Sequence, residues 1–188
     1  MGLIGSLFNR RPEFRGEPPD ATDDITALFI PLRNCVSDFK DVTNMSWALI
    51  LPAIQRMSIR LFVQARGSES TLKLLECMIR KIEEERGIGP HVGRNITLYP
   101  DMSPEQLPQL AKLNSLLWQV ANNAIANDRS VEHVARAFSG FVVLIASRID
   151  GQFGESYASE LLHASYREVQ SGVFNGRAVT SSRTIAGG

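Results

Sequence analysis

Residues 130–149 read SVEHVARAFSGFVVLIASRI, and this stretch decides the fold. Ser130 stands where a helix N-cap belongs, and Phe138, Phe141, Val142 and Ile145 follow at three- and four-residue spacing. The remaining positions are also mostly apolar, so the helix is hydrophobic on all sides. Such a helix needs neighbours all round and belongs at the centre of a bundle. Its apolar core, AFSGFVVLIASRI, falls well short of a membrane span.

The neighbours are helical as well. Upstream, SPEQ at 103–106 is a start pattern: Ser103 at the cap, Pro104 at the first helical position and Gln106 where a capping-box side chain reaches back. That helix is predicted to run to about Asn127. Before it, GIGPHVGRNITLYPDM has three glycines and two prolines and reads as an ordered irregular loop or a short extended piece.

Earlier still, three helices are predicted. One spans about 24–40, capped by Asp23 or Asp24, with Pro31 either kinking it or marking its start. A second spans about 44–66 with Asn44 as cap, and a third runs from Ser68 to Arg86, stopped by Gly87. Downstream of the central stretch a last helix covers about 155–170. No strand alternation, internal repeat or sustained heptad competes. The expectation is an all-α, single-domain bundle of five to six helices (24–170), with an N-terminal segment and linker (1–23) and a flexible C-terminal tail (171–188).

Composition narrows the function classes. The chain has 188 residues, 44% of them hydrophobic, enough for one substantial core. Lys+Arg and Asp+Glu balance at 20 each, so no overall field points to nucleic acid. Only four of the cations are lysines (Lys40, Lys73, Lys81, Lys112), a bias that suits phosphate contacts but that a GC-rich coding sequence also produces. Cys35 and Cys77 are expected to be buried free thiols, and the sequons at Asn44 and Asn95 to be accidental. A cytoplasmic-side location, without secretion, is the expectation.

Motifs for chemistry are weak. His91, His133 and His163 never fall four apart, and Glu160 to His163 gives one Glu-x-x-His pair where a di-metal bundle needs two. Ser156 lies in a glycine-flanked setting like a nucleophile elbow, but no aspartate follows it and His163 shares its helix. The glycine loop at 87–93 follows a helix and lacks the Lys-Ser/Thr of a phosphate loop. Read as a helix-turn-helix, 130–149 would offer FVVLIASR as its recognition helix, which lacks polar side chains for base edges. No enzyme, cofactor or metal is expected.

The opening, MGLIGSLFNRR, carries the strongest functional pattern. MGLIGS fits Met-Gly-x-x-x-Ser/Thr, the acceptor pattern for a myristoyl group on Gly2. Leu3, Ile4, Leu7 and Phe8 form an apolar cluster, Arg10, Arg11 and Arg15 supply positive charge, and the stretch 10–24, rich in Pro, Gly and charge, reads as a linker. One acyl chain holds a membrane only marginally, so the arginines would be the second anchor. The rival reading packs Leu3, Leu7 and Phe8 onto the bundle.

In organisation alone the chain resembles the matrix proteins of enveloped viruses and some acylated effectors and adaptors. The resemblance covers about fifteen residues and the all-α expectation, and the balanced charge departs from the basic face of many matrix domains. The leading expectation is a non-enzymatic structural or adaptor protein, peripheral to a membrane through residues 2–15 and joined to a protein partner or a second copy through the bundle. An alternative is a helical coat or nucleic-acid-packaging protein, with phosphates meeting Arg56, Arg60, Arg66, Arg94 and Arg129. A further one is an enzyme or small-ligand sensor with a pocket between helices.

Overall fold

The stretch 130–149 forms the expected helix, Val131–Arg148, and every residue from Val134 to Val143 is buried. Ser130 caps it, accepting a hydrogen bond from the His133 amide at 3.1 Å. The computed structural model describes residues 27–87, 96–149 and 156–174. Among them are five helices and no strand: α1 (Phe29–Thr43), α2 (Trp47–Arg86), α3 (Gln106–Ala126), α4 (Val131–Arg148) and α5 (Tyr157–Gln170). The fold is all-α.

The centre is shared, which the sequence reading did not foresee. Leu49 to Ile59 on α2 are also buried without interruption, Pro52, Gln55, Arg56 and Ser58 included. These eleven residues therefore lie against neighbours on all sides, as α4 does. Two of the polar groups bond across the interfaces, although Gln55 Oε1 has no hydrogen-bond partner. Ser58 donates to the Ala135 carbonyl of α4 at 2.8 Å, and Gln55 Nε2 donates to Ser165 Oγ of α5 at 3.0 Å. Burying each large apolar side chain here contributes about 1.5–3 kcal/mol.

The two helices expected at 44–66 and 68–86 are limbs of one element bent at Gly67, whose φ of 77° and ψ of 168° are non-helical. Thr71 Oγ1 donates to the Gly67 carbonyl at 2.7 Å. A straight helix would hold Gln55 and Glu76 about 31 Å apart. Yet they bond the adjacent residues Ser165 and Tyr166 of α5, so the limbs are bent toward that helix. The second limb buries Thr71, Leu75, Met78 and Ile82 in one stripe.

Other boundaries shift for local reasons. Asn44 adopts the left-handed conformation (φ 52°) and closes α1, its amide bonding the Lys40 carbonyl. The α2 cap is Ser46, two residues on, which accepts from the Ala48 amide at 3.2 Å. Asparagine suits either end of a helix, so the sequence alone did not separate the two roles. Pro31 falls within the first turn of α1, where its missing amide costs nothing; Asp23 and Asp24 lie outside the described residues. Gly87 ends α2 with φ 62° as expected. Ser103 donates its amide to Gln106 Oε1 at 2.9 Å, the back-bond of a capping box, but α3 starts only at Gln106 with Glu105 at its cap and no side-chain cap bond, two residues later than expected.

The cysteines depart from expectation. Both are free, but Cys77 is exposed, one position off the stripe of the second limb, and Cys35 is only half-buried. No helix among the described residues is long and apolar enough to cross a membrane.

Candidate functional site

Four groupings of side chains could carry chemistry or recognition. The first lies beside the bend. Glu132, in the first turn of α4, accepts from Arg136 Nη2 at 2.7 Å and from Arg66 Nη2 of α2. Burial pushes the Glu132 carboxyl toward the neutral form, but the two guanidinium groups outweigh it and hold its pKa below the ordinary glutamate value. The cluster ties the end of the first limb to the start of α4.

The second brings together residues 80 apart in sequence. His163 Nε2 lies 2.8 Å from Glu83 Oε1, and Ser159 Oγ donates to the same oxygen at 3.0 Å. Ser159 is fully buried and spends its proton on the carboxylate, not on the imidazole. A nucleophile needs its base within reach of that proton, so this arrangement fastens α5 to α2. Tyr166 extends it by donating to Glu76 at 2.9 Å, which together with the environment raises the Tyr166 pKa. Ser156, considered above as a nucleophile, donates to Glu160 at 2.7 Å in the first turn of α5.

The third covers a cation. The Tyr99 ring lies 4.8 Å from the Arg56 guanidinium carbon, and Arg56 is 8% exposed. Burial lowers the Arg56 pKa, with Arg60 acting in the same direction and Tyr99 and Glu168 against it. Arg60, four residues on, is exposed. The expected arginine comb is thus divided: Arg56 beneath an aromatic ring, Arg60 in solvent, Arg66 on Glu132. Arg129 is half-buried. Arg94 and His91 lie outside the described residues, as do Gly2, Leu3, Ile4, Leu7, Phe8, Arg10, Arg11 and Arg15.

The fourth is a groove of about 340 Å3 between α1 and α3. Phe39 is buried in its floor, Leu116 and Val120 line it half-buried, and Val42 stands at its edge 79% exposed. Asp38 and Lys112 add one charge of each sign, and Cys35 opens onto it with a thiol pKa raised by burial and then by Asp38. Ile30, 59% exposed, lies in the first turn of α1, away from the groove. This helix packs on α3 and α4 and leaves its other side in solvent.

Nothing in the sequence marked the groove or the Glu83–His163 bond, because both depend on which helices meet. The only trace was the apolar residues of α1 exceeding one stripe. Among the described residues no group of three or more His, Cys, Asp and Glu side chains could hold a metal ion. No protein-family model, curated protein or solved structure matches the chain.

Proposed function

We propose that the chain is a non-enzymatic adaptor or structural protein, bound at a membrane surface through residues 2–15 and engaging a protein partner through the α1–α3 face of the bundle. The observation that carries this reading is the open, largely apolar groove with exposed Val42 at its edge. Apolar side chains left uncovered around a concavity are what a docking surface offers. The charged side chains inside the bundle support the same view, since Glu83, Glu132 and Arg56 are taken up by structural contacts. The foot supplies the membrane half: four apolar residues to insert, three arginines for anionic headgroups and an acyl acceptor at Gly2.

The test is co-sedimentation of the full chain with anionic and neutral vesicles, acylated and unacylated, beside Gly2→Ala and a Leu7→Asp/Phe8→Asp double variant. Pelleting on anionic vesicles that the double variant abolishes supports the reading, and dependence on Gly2 assigns the acyl chain. Failure of every form to pellet removes the membrane half. Salt-sensitive retention on single-stranded RNA, lost with Arg60→Ala, would favour nucleic-acid packaging instead.

A further inference from the structure

The groove between α1 and α3 has a candidate occupant within the same chain. We propose that residues 3–8, through Leu3, Ile4, Leu7 and Phe8, dock in the groove, so that the bundle holds the foot until a membrane competes for it. This deepens the reading above by assigning regulation to the same surface.

Three observations favour this occupant. The groove lies on α1, the first described helix, and the 20 residues from 9 to 28 separate that helix from the foot. Fully extended they span roughly 66–72 Å, against about 22 Å for the length of α1, so reach is no obstacle. Second, chemistry matches: Phe39, Val42, Leu116 and Val120 offer apolar surface of the kind that the four residues of the foot would otherwise expose to water. Third, Asp38 in the groove and exposed Asp41 next to it on α1 make that wall acidic, with Lys112 on the facing α3 wall and Lys40 over the Trp47 ring at 5.7 Å. Arg10 and Arg11, just beyond the foot, are the complementary charges.

Tethering settles the competition with outside ligands. A six-residue apolar segment binds such a groove weakly in free solution. A linker of this length supplies an effective concentration in the millimolar range. A partner or membrane must then displace the foot.

Cys35 reports occupancy directly, since its half-buried thiol lines the groove while exposed Cys77 lies elsewhere and serves as the internal reference. The full chain would be treated with N-ethylmaleimide, without vesicles, and the modification rates at the two cysteines read by peptide mass spectrometry. Docking for four-fifths of the time slows Cys35 about fivefold. The Leu7→Asp/Phe8→Asp variant is therefore expected to raise the Cys35-to-Cys77 rate ratio at least about fivefold. A synthetic peptide of residues 2–15, added to that variant, should lower the ratio again, and a peptide with the same two substitutions should not. Losing a contact occupied four-fifths of the time removes that same factor of five from folding, so the thermal melt of the double variant is expected to fall by only about 2–4 °C.

An unchanged ratio in the double variant overturns the proposal, whatever the vesicle result. Protection that vanishes on dilution of the wild-type chain also overturns it, because the occupant would then be the foot of a second copy. A raised ratio with no pelleting in any form would support the docked foot and sink only its membrane role.

Discussion

Replacing Gly67 by alanine should destabilise the bundle, although alanine is the better helix former. At φ 77° and ψ 168° the residue lies in a region open almost only to glycine, and a Cβ there would meet nothing within 4 Å. The cost is therefore backbone strain, about 1–3 kcal/mol, without a clash. Straightening α2 would relieve the strain and gain about 1 kcal/mol of propensity. It would also pull apart contacts on either side of the bend: Gln55 with Ser165, Tyr166 with Glu76, or Arg66 with Glu132. The expected loss of about 1–3 kcal/mol lowers the melting temperature by roughly 3–10 °C for a chain of this size. Urea denaturation and calorimetry of the full chain would read it. A Gly67→Ala variant as stable as the parent, or more stable by about 1 kcal/mol, would refute the reasoning, because that is the behaviour of glycine inside an ordinary helix.

Other expectations follow from the same contacts. Glu132 is held below its ordinary pKa in the folded protein, so its contribution is full above the unfolded value and is lost as pH falls through the folded one. Glu132→Gln should flatten the acid limb of a stability-versus-pH curve, and a parallel curve would contradict the pairing. Leu98→Ala should cost about 2–4 kcal/mol in urea denaturation, as for any fully buried leucine, even though Leu98 belongs to no helix. Burial and then Glu160 push the Tyr157 phenol up to about 12. At pH 11 about nine-tenths of Tyr157 should stay protonated in the folded chain, so Tyr157→Phe should barely change the tyrosinate absorbance there and should lower its rise on unfolding by one tyrosine.

The sequence disclosed what local chemistry controls. Ser130 and Gly87 act within a turn of their own positions and are where the pattern places them, while Ser103 keeps its bond to Gln106 but the helix starts two residues later, after Glu105. The all-apolar character of 130–149 announced a central helix. It could not announce that α2 shares the centre, because Gln55, Arg56 and Ser58 make that segment read as one-sided. They are buried through partners 77 and 110 residues away, or under Tyr99. The arginine comb shows the same limit, since spacing puts Arg56 and Arg60 on one face but does not say what covers the first. Leu98 sits among glycines and prolines, where an apolar residue reads as loop, yet Arg167 donates to the neighbouring Ile96 carbonyl at 2.8 Å and pins the segment to α5.

The shared centre also sets an order of events during synthesis. The first limb of α2 leaves the ribosome long before the helices that enclose it. Its Gln55 must wait for Ser165, 110 residues later. At 5–20 residues per second that interval lasts about 5–20 s. For that time a nascent chain carries an apolar segment, 49–59, that has no completed site to enter. Synthesis of this protein should therefore depend on holding chaperones more than its length implies, and slowing translation between residues 60 and 160 should lengthen that exposure.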